Sequence, residues 1–502
     1  MESMIQNLTA TQRYYARILC GPLVLLLFSL LPPPEGMAFN SWLTFGLAGW
    51  MFLWWIFEAA PLAVTGLLPL VLFPVLGIMD FKQTAEPYAN PVIFLFLGGF
   101  MLAIAFQKWN LHIRLALWIV GKVGTSAERM VGGFICAASF ISMWISNTAA
   151  VLMMLPLTLA VIDLLVKNDP HKAEHKRFAK AMLLGICYAV SIGGLGTLIG
   201  TPPNAFFKGF MTTQYDYSIG FLDWMLMGVP VVIGLSFGCW FLLVKVFFPV
   251  RDISPAYTKK AFDTARKKLK PITPAEKRVA WVAFITAMGW VFSSQIEAKF
   301  PKITDSVIAI LGAVTLFVIP SDHKKFKPLL TWDDAVQLPW GVLLIFGGGL
   351  ALSEGLSSTG TNEWIGQSMM QFQHYNIHAI VIAVSFVVLG MTEMISNIAT
   401  VAMSVPLLST VASGLGENPL LLALPATMIA SLGFMMPIST AANAIVFSTG
   451  FVTIKDMVKV GFFLNLIGIL VILLALYGIG LHVFDIVPGM VPEWALPPSK
   501  TV

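Results

Sequence analysis

Apolar residues run through most of this chain in long unbroken stretches, with polar residues confined to short clusters between them. A helix needs about 20 consecutive apolar residues to cross the hydrocarbon core of a bilayer. Stretches near that length fall at 18–31, 42–57, 61–78, 91–107, 181–207, 221–248, 279–296, 304–319, 340–357, 420–447 and 460–486. The pattern predicts an all-α polytopic membrane protein with about 11 transmembrane helices. Two further apolar stretches, 131–166 and 379–412, each carry a polar interruption near the middle, Ser146-Asn147-Thr148 and Ser396-Asn397-Ile398. Arg13 and Arg17 precede the first run, but Pro32, Pro33 and Pro34 follow it where a leader would carry small residues for cleavage, so it is read as a retained helix.

Charge placement sorts the loops. Cytoplasmic loops carry the excess of Lys and Arg. Lys108, Arg114, Lys122 and Arg129 precede 131–166, and Lys167, Lys172, Lys176, Arg177 and Lys180 follow it, so both flanks are assigned to the cytoplasm. The stretch must then enter and return. Its polar middle at membrane depth is tolerable where protein or a water-filled cavity covers it. The flanks of 379–412 hold Glu363 and Glu417 and no Lys or Arg, which assigns both outside. Two re-entrant hairpins of opposite orientation result, one opening inward and one outward. Lys324, Lys325, Lys327, Lys455 and Lys459 then lie inside, with a cytoplasmic N-terminus and an extracytoplasmic C-terminus. The domain reading is 1–90 as N-terminal scaffold helices, 91–248 as a first repeat, 249–278 as a Lys/Arg-rich cytoplasmic linker, 279–486 as a second repeat and 487–502 as a tail.

Composition agrees. Apolar residues make up 57% of the 502 and charged residues 11%, against roughly a quarter charged in soluble domains, and mean hydropathy is +0.81. Lipid must be the solvent for that much apolar surface, so an integral membrane protein is expected. The net charge of +5 sits in loops and not on a nucleic-acid-binding face. Cys20, Cys136, Cys187 and Cys239 lie far apart inside apolar runs and read as packing residues. The chain carries no H-E-x-x-H spacing and no Walker A sequence, which excludes a zinc protease and an ATP-driven pump of its own.

The halves resemble each other. Ser146 to Leu157 aligns with Ser396 to Leu407, seven of twelve positions being identical. Upstream, Phe94 to Gly99 parallels Leu343 to Gly348; downstream, Gly200-Thr201-Pro202-Pro203-Asn204-Ala205 parallels Ser439-Thr440-Ala441-Ala442-Asn443-Ala444. Inverted repeats place a ligand site near the bilayer midplane, where broken helices offer N-termini to anions and unwound carbonyls to cations. Pro202-Pro203 must interrupt the run 181–207. Ser, Thr and Gly also serve plain packing in membrane helices; Gly193-Gly194 and Gly347-Gly348-Gly349 are read that way, and Trp54-Trp55 and Trp332 as interfacial anchors. Glu393, a carboxylate in a hairpin arm where the first repeat has Met143, leaves three readings: a cation ligand, a coupling proton carrier, or a partner for neighbouring polar groups.

From about Ala48 to Leu481, these motifs resemble the divalent anion/sodium symporter family of dicarboxylate, citrate and sulfate carriers, and among them bacterial sodium/dicarboxylate symporters. The family signature is a Ser-Asn-Thr triplet at each hairpin tip with a later Thr-Pro-Pro-Asn unwinding. The resemblance implies an elevator-type homodimer importing C4-dicarboxylates such as succinate, malate or fumarate with Na+. It implies a first sodium site of Ser142, Ser146, Asn147 and backbone near Gly200, and a second of Thr392, Ile395, Ser396, Asn397 and backbone near Ser439. Substrate carboxylates would meet Asn147, Thr148, Asn397 and Thr440. The second half departs from the pattern at Ile398 and at Ala441-Ala442. Losing the hydroxyl donor at Ile398 predicts a preference shifted toward an anion with one apolar or less demanding end. A sodium-independent exchanger, or a carrier of sulfate, a sulfonate or a monocarboxylate, stands as the alternative. A membrane-embedded enzyme is disfavoured because no acid/base or nucleophile–base set is visible, and a channel fits inverted hairpins poorly.

Overall fold

A computed structural model describes residues 9–166, 173–250, 255–267, 269–322, 327–372 and 374–496. Lys167, Lys172, Lys268, Lys324, Lys325 and the last residues of the expected tail, 497–502, lie outside them. The principal helices of the first half are α1 (Ala10–Leu30), α2 (Phe39–Phe57), α3 (Leu68–Leu76), α4 (Pro91–Lys108), α5 (Leu111–Val123), α6 (Ala127–Ser142), α7 (Asn147–Val166), α8 (Ala173–Gly194), α9 (Pro202–Tyr215) and α10 (Phe221–Phe241). Then follow α11 (Pro255–Lys267), α12 (Pro274–Val291), α13 (Asp305–Val318), α14 (Trp340–Ser358), α15 (Thr361–Met369), α16 (Ile377–Met394), α17 (Asn397–Gly414), α18 (Leu420–Ile429), α19 (Ala441–Phe447) and α20 (Ile454–Ala475). Among the described residues the only strands are the short pair Pro320–Asp322 and Lys327–Pro328.

Eight helical segments among the described residues are long and apolar enough to cross a membrane, or nine if α12 and the short helix Ser293–Lys299, bent by 70°, form one span. The apolar runs outnumber them because several runs fold as broken pieces and 304–319 folds as a helix of only 14 residues. The run 61–78 divides into Leu62–Thr65 and α3. The run 181–207 divides into α8 and α9, and 420–447 into α18 and α19. The stretch 131–166 becomes α6 and α7 around a turn at 143–146, and 379–412 becomes α16 and α17 around Ile395-Ser396.

Burial ranks the helices. Every residue of α18 is buried, as is 89% of the apolar window of α8. A helix apolar on all sides belongs either in a core or in lipid; these two lie in the core, whereas α1, 11% buried, lies at the periphery. Helix α8 packs on α6 and α7, and α18 on α16 and α17. The halves interlock across this core: α9 lies against α17 and α18, α19 lies against α7 and α8, and α10 lies against α20.

Small residues permit the close approaches. A Cβ on Gly193 would fall 2.1 Å from the Ser139 carbonyl oxygen, one on Gly348 2.1 Å from that of Gly66, and one on Gly98 2.6 Å from that of Ala309. The glycine pairs and triplets are therefore close-packing positions, as expected. The Trp54-Trp55 pair divides: Trp54 is half-buried, but Trp55 is 2% exposed and donates from Nε1 to the Leu62 carbonyl (3.3 Å), so it is a core residue and not an anchor.

Ion pairs join helix to helix. Lys108 meets Asp334 at 2.6 Å, Arg114 meets Glu276 at 2.9 Å, Lys180 meets Asp456 at 2.7 Å and Lys245 meets Glu128 at 2.6 Å. Partial burial works against the Asp334 carboxylate. The Lys108 ammonium and the Thr331 N–H and hydroxyl outweigh it and hold its pKa below the ordinary range. A further pair is buried: Lys208, midway along α9, reaches Asp305 at the first residue of α13, with 7% and 9% of their surfaces exposed.

Candidate functional site

The two polar interruptions fold alike. At the first turn Ser146 caps α7, its Oγ accepting from the Ala149 N–H at 3.4 Å. At the second, Ser396 caps α17, accepting from the Ala399 N–H at 3.3 Å. Serine supplies the acceptor that the first helical N–H groups lack, which is why each helix starts directly after it. The next residue is asparagine in both. Asn147 Oδ1 accepts from the Ser142 hydroxyl (2.8 Å), and Asn397 Oδ1 from the Thr392 hydroxyl (3.0 Å). Each amide oxygen is thereby fixed in place.

A helix break lies beside each turn. The first, residues 195–201, separates α8 from α9; the second, 430–440, separates α18 from α19. In each an asparagine side chain spans the gap. Asn204 Nδ2 donates to the carbonyls of Gly194 (2.9 Å) and Thr197 (2.8 Å), and Asn443 Nδ2 to those of Gly433 (2.8 Å) and Met436 (2.8 Å). Turn and break touch through glycine. A Cβ on Gly194 would lie 2.8 Å from Asn147 Oδ1, and one on Gly433 3.6 Å from Asn397 Oδ1. Hydroxyls tie them further: Thr197 donates to the Met143 carbonyl, and the Thr392 hydroxyl shares its one proton between Asn397 Oδ1 and the Ala430 carbonyl.

The sequence-predicted residues thus fall into two clusters. Ser142 is buried, Ser146 and Asn147 are half-buried, and Gly200 is buried against the Gly194 backbone. In the second cluster Thr392, Ile395 and Ser439 are buried, and Ser396 and Asn397 half-buried. Thr440 caps α19, accepting from the Asn443 N–H at 3.1 Å. Thr148 and Ile398 occupy matching positions with opposite exposure, Thr148 exposed and Ile398 7% exposed. The two halves cross here: α9 leaves the first break to pack on α17, and α19 leaves the second to pack on α7. Cys187 of α8 seals that contact, donating to Asn443 Oδ1 at 3.1 Å. Sequence alone marks it as a packing residue; its thiol bonds a group 256 positions away, which no local pattern announces.

Among the described residues no three His, Cys, Asp or Glu side chains gather as a metal site. The donors are hydroxyl, amide and backbone oxygens, a set for a hard alkali cation and not for a transition metal. The starts of α7 and α17 add free N–H groups and the positive ends of helix dipoles, which favour an anion. Glu393 is placed by its neighbours. Its carboxylate, 6% exposed, accepts from the N–H groups of Phe434, Met435 and Met436, from the Ser439 hydroxyl (2.8 Å) and from the Asn465 amide (2.7 Å).

The family described as "Sodium:sulfate symporter transmembrane region" matches residues 12–484. A sodium-dependent dicarboxylate transporter, SdcS, of Staphylococcus saprophyticus is 40% identical over 477 residues, covering 92% of this chain and 90% of its own. SdcS of Staphylococcus aureus strain USA300 is 39% identical over 491 residues, covering 96% and 93%. Two solved structures share the fold at 13% identity. Neisseria gonorrhoeae MtrF, described with a class of antimetabolite efflux pumps, superposes with a TM-score of 0.55 over 93% of this chain and 96% of its own. The Alcanivorax borkumensis YdaH transporter does so with 0.50, over 86% and 98%.

Proposed function

Since the chain belongs to the sodium:sulfate symporter family, we propose that it is a membrane symporter coupling Na+ entry to import of a C4-dicarboxylate. Relatives 39–40% identical carry the name sodium-dependent dicarboxylate transporter, and they are carriers, not enzymes. The observation that carries the reading is the pair of matched clusters, each with an asparagine oxygen fixed by a neighbouring hydroxyl beside a break in an adjacent helix. Sodium lies between each Ser-Asn turn and the carbonyls of its break. Ser142, Ser146, Asn147 and Gly200 serve one ion, and Thr392, Ile395, Ser396, Asn397 and Ser439 the other. The dicarboxylate bridges the clusters through Asn147, Thr148, Asn397 and Thr440. Bound cations create the field in which the anion is held, so neither ligand moves productively alone.

The same matching contacts support an inverted repeat, 91–248 and 279–486, with hairpins 131–166 and 379–412 opening to opposite sides. Exchange of conformations between such repeats gives alternating access; here the core with α6 to α9 and α16 to α19 moves as an elevator against a scaffold that includes residues 1–90, within a homodimer in a bacterial cell membrane. The N-terminus and the linker 249–278 face the cytoplasm and the tail faces outward. Uptake of labelled succinate into liposomes with no internal anion tests the reading. Uptake under an inward sodium gradient is expected; a strict need for internal dicarboxylate would make the protein an exchanger.

Substrate preference is set in the second cluster. Ile398 cannot donate a hydrogen bond where Thr148 can, so the two ends of the anion meet unequal chemistry. Ile398→Thr is expected to favour succinate over monocarboxylates and sulfonates by about tenfold, the effect of about one hydrogen bond. Competition by these anions against labelled succinate measures it, and unchanged selectivity would count against the assignment.

A further inference from the structure

We propose that Glu393 is the positioning residue that holds the second helix break open, supplying by hydrogen bonding what a proline pair supplies in the first; this rests on the reading of the breaks as parts of the sodium sites. The two breaks correspond position by position, Gly194 with Gly433, Thr201 with Thr440 and Asn204 with Asn443. Their chemistry differs. Pro202 and Pro203 open α9, remove two N–H groups and force the preceding residue extended; Thr201 has φ −145° and ψ 145°. Ala441 and Ala442 open α19 with no such constraint, yet Thr440 has φ −141° and ψ 151°, the same conformation.

Something other than proline must keep the second segment from closing into continuous helix. Three successive N–H groups that a helix would use, those of Phe434, Met435 and Met436, turn to the Glu393 carboxylate at 2.9 to 3.1 Å. Successive backbone N–H groups form a nest for an anion, and here the anion is built into the chain. Asn465 on α20 and Ser439 complete the shell, the Ser439 hydroxyl sharing its one proton between the carboxylate (2.8 Å) and the Glu393 carbonyl (3.0 Å). The first repeat shows the contrast at the matching place. Met143 corresponds to Glu393, and its methyl group lies over Gly196, which corresponds to Met435. There the Leu195 and Gly196 N–H groups stay on backbone carbonyls, of Ile192 (3.1 Å) and Gly193 (2.9 Å). The second break is accordingly longer, 430–440 against 195–201.

The role is positioning, not ligation. Both carboxylate oxygens are taken up by donors, and the chain they hold carries the Ser439 backbone assigned to sodium. Glu393→Gln puts an amide donor among N–H donors, so one side of the nest loses its acceptor whichever way the amide turns. The expected result is a sodium half-saturation raised about tenfold or more, as for loss of a charge-assisted hydrogen bond. The succinate KM at saturating sodium should move by less than about threefold. Hydrogen exchange should rise across 430–440 and stay unchanged across 195–201. Adding Ala441→Pro and Ala442→Pro is expected to restore both readouts, because Thr440 already has the conformation that proline demands. Should E393Q alone not fold, the triple variant E393Q/A441P/A442P is expected to fold.

A wild-type sodium half-saturation in E393Q would overturn the proposal. So would loss of transport at every sodium concentration with exchange across 430–440 unchanged, which would make Glu393 a ligand or proton carrier. So too would a triple variant no better than E393Q. Hydrogen exchange reads the break whether or not the wild type transports succinate, so failure of the transport reading is seen separately.

Discussion

Replacing Asn147 or Asn397 by alanine is expected to abolish sodium-driven succinate uptake while the protein remains folded and monodisperse. Each asparagine stands at the first turn of a tip helix, its oxygen held by Ser142 or Thr392 and its backbone at the positive end of α7 or α17. It is assigned to cation and anion at once. Removing it subtracts a ligand from sodium and a donor from the carboxylate. At about 1.5–3 kcal/mol for each hydrogen bond to a charged group, the combined loss is about a hundredfold or more in transport. Fold is spared because each side chain is only half-buried and its bonding partner is a hydroxyl that can turn elsewhere. Uptake per folded molecule, with sodium-dependent thermal stabilisation as a binding readout, measures the effect. Wild-type rates in either variant would remove the site assignment.

Asp305→Ala is expected to destabilise the protein by about 3–5 kcal/mol, the cost of leaving one member of a buried pair charged and alone. Lys208 has nowhere to go: it lies midway along α9, 7% exposed. Asp305 is the first residue of α13, where a carboxylate also suits the helix dipole, and its carbonyl is held by Trp290 Nε1 at 3.0 Å. Pairing Asp305→Ala with Lys208→Met should recover much of the loss, because an uncharged pair has no desolvation to offset. Thermal unfolding in detergent distinguishes the cases. A single variant as stable as the wild type would show that the pair contributes nothing.

The turns were legible because their signals are local. A Ser-Asn step inside an apolar run marks a polar break and a helix cap together, and Pro202-Pro203 fixes the first break in the sequence itself. The second break is harder to read, since Ala441-Ala442 carries no breaking signal and the carboxylate that its N–H groups meet lies 41 to 43 residues upstream, on Glu393. Lys208 carries no local signal of burial because it follows directly on the run 181–207, and its partner is 97 positions away. Apolar runs gave the helices but not their divisions: 61–78 and 420–447 look continuous by composition and fold in pieces. Trp55 looked like its neighbour Trp54, but only packing against the Leu62 segment sends it inside.

The most direct test is whether a sodium gradient alone can concentrate succinate. In liposomes holding the purified protein and no internal anion, labelled succinate should rise above its external level under an inward sodium gradient, and fall back when an ionophore dissipates that gradient. Entry that only equilibrates, at the same rate with potassium in place of sodium, would contradict the coupling of the two clusters.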